Sequence, residues 1–151
     1  TDKLRYLTDL KPAAESYRHT PLLDLAWPLG EDENVLGGTL RADGKLYLRG
    51  LGMHASSRVG YALDKPYRRL EAELAIDESA EGRGSVTFLV VTDAGGKYSI
   101  VYESPVIRGR NAPLPISVDL TGAKRLVLAV KSADRGTEMD RANWLNVRLI
   151  E

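Results

Sequence analysis

Leu70-Glu71-Ala72-Glu73-Leu74-Ala75-Ile76 sets an apolar side chain at every second position, with glutamates between the first three. A period of two puts alternate side chains on opposite faces of an extended chain, so this stretch predicts a β-strand with one buried and one solvated face. A helix of 3.6 residues per turn would scatter the same residues around its circumference. The pattern returns in Val86, Phe88 and Val90, in Tyr98, Ile100 and Tyr102, in Ile116, Val118 and Leu120, and in Leu126, Leu128 and Val130. Turn signals separate these runs: Asp64-Lys65-Pro66, Glu81-Gly82-Arg83-Gly84, Asp93-Ala94-Gly95-Gly96, Asn111-Ala112-Pro113 and Thr121-Gly122. Short strands at regular spacing, with no long helical pattern, predict an all-β fold. Its expected form is a jelly-roll-like antiparallel β-sandwich of about eight to ten strands, with Leu74, Phe88, Val118, Leu128 and Val147 between the sheets.

Working outward, the polar stretch from Asp77 to Arg83 reads as a surface loop. The first forty residues read as an edge strand followed by long loops packed on the sandwich, with Leu22 to Trp27 apolar and Gly30 to Gly38 acidic. At 151 residues the chain fits one domain, 1–151, able to bury a core without metals or disulfides. Lys plus Arg equals Asp plus Glu at 21 each, so no basic field favours nucleic acid. The lack of cysteine excludes disulfides, thiolate nucleophiles and Cys-type zinc sites. No stretch approaches the roughly 18 apolar residues of a membrane span. The start Thr1-Asp2-Lys3 has neither an initiator Met nor a signal pattern, as expected of a mature fragment of a longer protein.

Two short segments carry the unusual chemistry: Gly50-Leu51-Gly52-Met53-His54-Ala55 and Asp140-Arg141-Ala142-Asn143-Trp144. The two glycines permit a sharp path and close approach of a ligand to His54. That imidazole either donates to a ligand hydroxyl or ties its loop to a backbone carbonyl. Leu145, Val147 and Leu149 form one alternating set, so a regular pleat puts Trp144 with Asn146 and Arg148 on the polar face. There its indole would be a stacking platform; a bulge would instead turn it into the core. Asp140 and Asn143 bring short polar groups beside it, and Asp140 either accepts from a pair of hydroxyls or anchors its own turn. Arg141 and Arg58 add donors or are solvated charges. His19 reads as an ordinary loop residue, and Trp27 as packing under the N-terminal loops.

Tyr47-Leu48-Arg49-Gly50-Leu51-Gly52-Met53-His54-Ala55, Gly84-Ser85-Val86-Thr87-Phe88-Leu89-Val90 and Val118-Asp119-Leu120-Thr121-Gly122-Ala123-Lys124-Arg125-Leu126 follow one another in a specific order and spacing. Together they resemble the NPCBM/NEW2 family of carbohydrate-binding modules, in the galactose-binding-like β-sandwich superfamily. The resemblance begins at Tyr6-Leu7-Thr8-Asp9-Leu10 and runs almost unbroken after about Leu40. The family commonly reads Asp-His-Ala-x-Trp near its end; this chain has Arg141 at the second position. The resemblance implies a galactose-binding domain-like fold and a non-catalytic module that recognises galactose-like or related glycans. Its implied sugar contacts are His54, Asp140, Arg141, Asn143 and Trp144. It further implies a bacterial, secreted protein, extracellular or periplasmic, in which the module targets an appended glycoside hydrolase or other enzyme to its substrate. Superfamily members often hold a structural calcium, for which Asp77, Glu78 and Glu81 are the candidate ligands here, or Asp134, Glu138 and Asp140.

An enzyme is disfavoured by inventory, since the chain has no nucleophile elbow, no phosphate-binding glycine loop and no His-rich metal motif. The remaining alternative is a β-sandwich that binds another protein domain and no sugar.

Overall fold

The computed structural model describes residues 3–14, 16–19, 27–133 and 139–151. Each alternating run becomes a strand because its apolar set is buried against a facing sheet while its backbone groups pair with neighbours. Fourteen strands are present among the described residues: β1 (Leu4–Tyr6), β2 (Arg18–His19), β3 (Gly30–Glu31), β4 (Leu40–Ala42), β5 (Lys45–Tyr47), β6 (Gly50–His54) and β7 (Ser57–Ala62). They continue with β8 (Arg69–Ile76), β9 (Ser85–Asp93), β10 (Tyr98–Glu103), β11 (Ile107–Arg108), β12 (Leu114–Asp119), β13 (Arg125–Ser132) and β14 (Arg141–Ile150). The excess over the expected number lies in two- and three-residue pieces, too short to show a period in sequence.

All pairings are antiparallel. The first sheet runs β12-β8-β14-β6-β3 with β1 also on β14; the second runs β10-β9-β13-β7-β2 with β11 also on β9. Met53, Leu74 and Trp144 of the first sheet meet Phe88, Val90 and Leu128 of the second in one core. Leu74, Phe88, Val118, Leu128 and Val147 are all buried. The run Tyr98, Ile100 and Tyr102 is a strand but mostly not a buried one: β10 is an edge, and Tyr98 and Ile100 are exposed.

The β4–β5 hairpin adds a partial third layer. It lies on the outer face of the first sheet, where Leu40 and Ala42 pack against Ala75 and Leu145. Beside it the loop around Asn34 rests directly on β6. A Cβ on Gly52 would stand 2.7 Å from Asn34 Cα and 2.7 Å from the Glu33 carbonyl oxygen, backbone positions that cannot yield. Gly52 thus admits the protein's own loop, and Gly50 the Trp144 carbonyl and Leu40, where the sequence reading expected a ligand.

Trp144 corrects the regular-pleat expectation. Along β14 the register against β8 slips between Leu145↔Glu73 and Arg148↔Glu71, one extra residue on β14, and Asn146 takes φ 51° there. Asn tolerates this left-handed conformation better than a branched residue. The bulge lets Trp144 and Val147, three residues apart, face the same core, and sends Leu145 outward to the hairpin. Trp144 is fully buried and meets Phe88 edge-to-face, with ring centroids 5.0 Å apart at 87°. It is not a surface platform. Trp144→Ala is therefore expected to lower stability by about 3–5 kcal/mol, read as a shifted midpoint in urea denaturation followed by circular dichroism.

Candidate functional site

At one end of the first sheet β6 finishes and β14 begins, and Arg141 stands directly opposite His54. The next residue, Ala55, presents a carbonyl that organises this rim. His54 Nδ1 lies 2.8 Å from Ala55 O and His19 Nε2 lies 3.4 Å from it. A carbonyl can only accept, so both ring nitrogens donate. The tautomer of His19 follows independently, because the Trp27 backbone N–H donates to its Nδ1 at 3.4 Å. The two imidazoles meet edge-to-face at 5.7 Å, and the Trp27 indole lies parallel to the His54 ring at 4.7 Å and 2°. The Tyr17 hydroxyl donates to Trp27 O at 2.5 Å. Arg141 brings its guanidinium to 5.8 Å from the Trp27 ring centroid.

Exposure divides these groups. His54 is buried beneath the indole, whereas Trp27, His19 and Arg141 are half-buried and reach the surface. His54 thus sets the plane of Trp27 and offers little surface of its own. Burial is also the main reason that the His19 pKa is lowered, with the His54 ring adding to the effect and the Ala55 hydrogen bond opposing it.

The other expected site residues have structural work. Asp140 is buried, accepts from the Ser85 amide at 2.9 Å and from the Ser132 hydroxyl, and so ties the start of β9 to the end of β13. Its backbone carbonyl accepts from Ala55 N at 3.0 Å, which fixes the turn carrying the rim. Asn143 is also buried, and its amide donates at 2.7 Å to Asp77 Oδ1. Neither side chain reaches the surface: Asp140 is held between β9 and β13, and Asn143 points to Asp77 beneath the loop at Asn34.

Asp77 is the centre of a buried network. Its Oδ1 also accepts from Arg41 N at 3.0 Å, and its Oδ2 from Asn34 Nδ2 at 3.1 Å and Ser79 N at 3.0 Å. The last bond caps the 3-10 turn Glu78–Ala80, so the expected surface loop is short, ordered and anchored from within. This turn holds the rim in place: Arg141 Nη1 donates to Ser79 O at 2.8 Å. Glu78 accepts from Gly44 N, and Glu81 is exposed in a left-handed conformation closing the turn. With four donors on Asp77, the set Asp77, Glu78 and Glu81 does not fit a calcium ion, and no three His, Asp or Glu side chains among the described residues converge as a metal site. Asp134 and Glu138 lie outside the described residues.

Trp27 and His19 are what the sequence reading missed. The signal available was negative: the chain has two Trp and two His, and once Trp144 is assigned to the core, Trp27 is the indole left for a surface role.

A model of the NPCBM/NEW2 domain matches residues 3–150. A provisionally named endo-alpha-N-acetylgalactosaminidase of Renibacterium salmoninarum is 31% identical over 123 residues, which cover 80% of this chain and 8% of that protein. The chain thus spans a small part of the curated relative it matches. Among solved structures, CBM51-2 with the INT domains of Clostridium perfringens ZmpB, in complex with GlcNAc, superposes with a TM-score of 0.82 at 24% identity. It covers 99% of this chain and 32% of that one. CBM51 from Clostridium perfringens GH95, in complex with methyl-galactose, superposes with a TM-score of 0.80 at 22% identity, covering 97% and 99%. Both share this fold. Among the described residues no helix is long and apolar enough to cross a membrane.

Two outcomes follow from the geometry. Asp77→Ala leaves four donors without their acceptor and should lower stability by about 3 kcal/mol or more in chemical denaturation. The lowered His19 pKa means that the unfolded chain takes up the proton first. Stability should therefore be intact above the ordinary histidine pKa of about 6.5 and fall as pH drops through it towards the folded value. Thermal melts at stepped pH, with His19→Gln removing the His19 contribution, check this.

Proposed function

The chain belongs to the NPCBM/NEW2 domain family, and from that premise we propose that it is a non-catalytic carbohydrate-binding module whose sugar site is the rim at Trp27, His19 and Arg141. The observation that carries this reading is an indole held at a fixed angle by a buried imidazole, with a guanidinium beside it. An indole offers an apolar face to the CH-rich side of a pyranose, and a guanidinium offers up to five donors to its hydroxyls. The complexes of similar modules with methyl-galactose and with GlcNAc support a galactose-like or related hexose. Among the described residues, Asp77 and Asp140 are buried, with both carboxylate oxygens of each hydrogen-bonded. These two do not form the pair of accessible carboxyls facing across a cleft that glycoside hydrolysis needs. As a small part of a larger protein, the module would hold an appended enzyme against its extracellular substrate, raising the local substrate concentration.

A second reading, docking onto a neighbouring protein domain, is favoured by Leu46 and Leu48, which are 60% and 80% exposed on and just after the hairpin. Calorimetry separates the two. Methyl-galactoside or GlcNAc should bind weakly, without turnover, and Trp27→Ala should weaken binding about ten- to hundredfold, the equivalent of about 1.5–3 kcal/mol of aromatic burial. The fold should survive that change by circular dichroism. Absence of sugar binding together with tight binding to a protein domain would replace the carbohydrate reading with the docking one.

A further inference from the structure

The rim leaves unused the outer face of the second sheet, which among the described residues carries no hairpin like the one on the first. A trough of about 700 Å³ crosses it over β7, β13 and β9, within the roughly 300–1,000 Å³ usual for small-molecule sites. Its floor is built of small side chains in register, Val127 lying between Gly60 and Val91, with Ala62 and Ala129 on either side. The N-terminal segment forms one wall: Ala13 N and the Ser16 hydroxyl both donate to Gly60 O, at 2.8 and 2.9 Å.

Among the described residues that line the trough, the charged side chains are all arginines. Arg18 and Arg58 face each other across β2 and β7, the like-charged arrangement that destabilises a sheet. Both are exposed, and among the described residues neither has a carboxylate partner; Arg18 donates only to the carbonyl of Tyr17. Arg125 stands at the far end, its Nη1 3.4 Å from the hydroxyl of Tyr98, a ring that is 50% exposed. Lys131 extends the line into an adjoining hollow that shares Arg18, Arg58 and Ala129. Asp93 lies opposite Arg125 and offsets its charge. No carboxylate among the described residues lines the trough. Among the described residues this local excess of cations contrasts with a chain whose formal charge is zero.

We propose that this trough is a second glycan site, for a sugar chain bearing an acidic group, carboxylate or sulfate. The acidic group sits between Arg18 and Arg58, whose forked donors match its oxygens and whose mutual repulsion it relieves. Pyranose rings lie on Val127 and Ala129 and end against Tyr98. An extended acidic peptide fits less well, because the backbone groups of β7, β13 and β9 are already paired with one another and offer no free edge to augment. The choice of a sugar rests on the carbohydrate-binding reading above; the position and charge of the site do not.

The test is an amide NMR titration of the whole chain with length-matched oligogalacturonate, sulfated galactan, neutral galactan and poly-glutamate. The expected result is that one or both acidic sugars shift the amides of Gly60, Val127 and Ala129. Arg18→Gln with Arg58→Gln should weaken this binding at least tenfold, added salt should weaken it in the wild type, and Trp27→Ala should leave it unchanged. No shift with either acidic sugar, an equal affinity for neutral galactan, full affinity in the double variant, or preference for poly-glutamate would each overturn the proposal. Methyl-galactoside failing at Trp27 while acidic sugars still bind the trough would defeat the rim reading alone.

Discussion

The buried carboxylate of Asp77 is the interaction on which the site end of this molecule depends. Four donors from four separate segments converge on it: the Asn34 loop, the start of the hairpin at Arg41, the turn at Ser79 and strand β14 at Asn143. A charge taken out of water is tolerable only when its lone pairs are filled, so each of these segments is held to one position by the cost of leaving it. The Asn34 side chain extends the same order outward by accepting from the amides of Leu36 and Gly38, at 3.0 and 2.9 Å. Through the Ser79 carbonyl the network also fixes the guanidinium of Arg141. A carboxylate deep in the fold thereby sets the geometry of a site it never touches.

The rim repeats this logic on a smaller scale. One backbone carbonyl, Ala55 O, takes both imidazoles, and these in turn hold the indole of Trp27 by a ring face and by its backbone amide. Preorganisation of this kind matters most for shallow sites, where few contacts are available to offset the loss of ligand freedom and the desolvation of hydroxyls. Weak binding is the regime expected of such a rim if it holds a sugar as proposed.

The two outer faces of the sandwich have diverged in use. On the first sheet the hairpin and the Asn34 loop cover β6, β8 and β14, which is why β14 shows four buried residues in a row where a two-layer sandwich would show alternation. On the second sheet small residues remain at the surface, with Arg18 and Arg58, which have no carboxylate partner among the described residues.

Sequence alone determined the sandwich. Alternation in Leu70 to Ile76 and its counterparts reports a property of each strand by itself, the chemistry of its two faces, and the covering of one face by a second sheet follows from it. The family resemblance grouped His54 and Arg141 in one set of sugar contacts, and the structure sets these two opposite one another. What sequence did not contain was any property that depends on a register or on a neighbour. A single extra residue at Asn146 shifts the phase of β14 and turns Trp144 from the polar face to the core, a change invisible to a count of alternate positions. Asp140, Asn143 and Asp77 carry the side chains of a ligand site, and whether such groups meet solvent or buried backbone amides is decided by loops distant in the chain. Trp27 and His19, with no motif around them, reach the rim through tertiary contacts: β2 pairs with β7 and sets His19 beside His54, and Trp27 stacks on His54 while its amide donates to His19. Tertiary structure made that choice, since burial is a property of the assembled surface and not of any residue in the list.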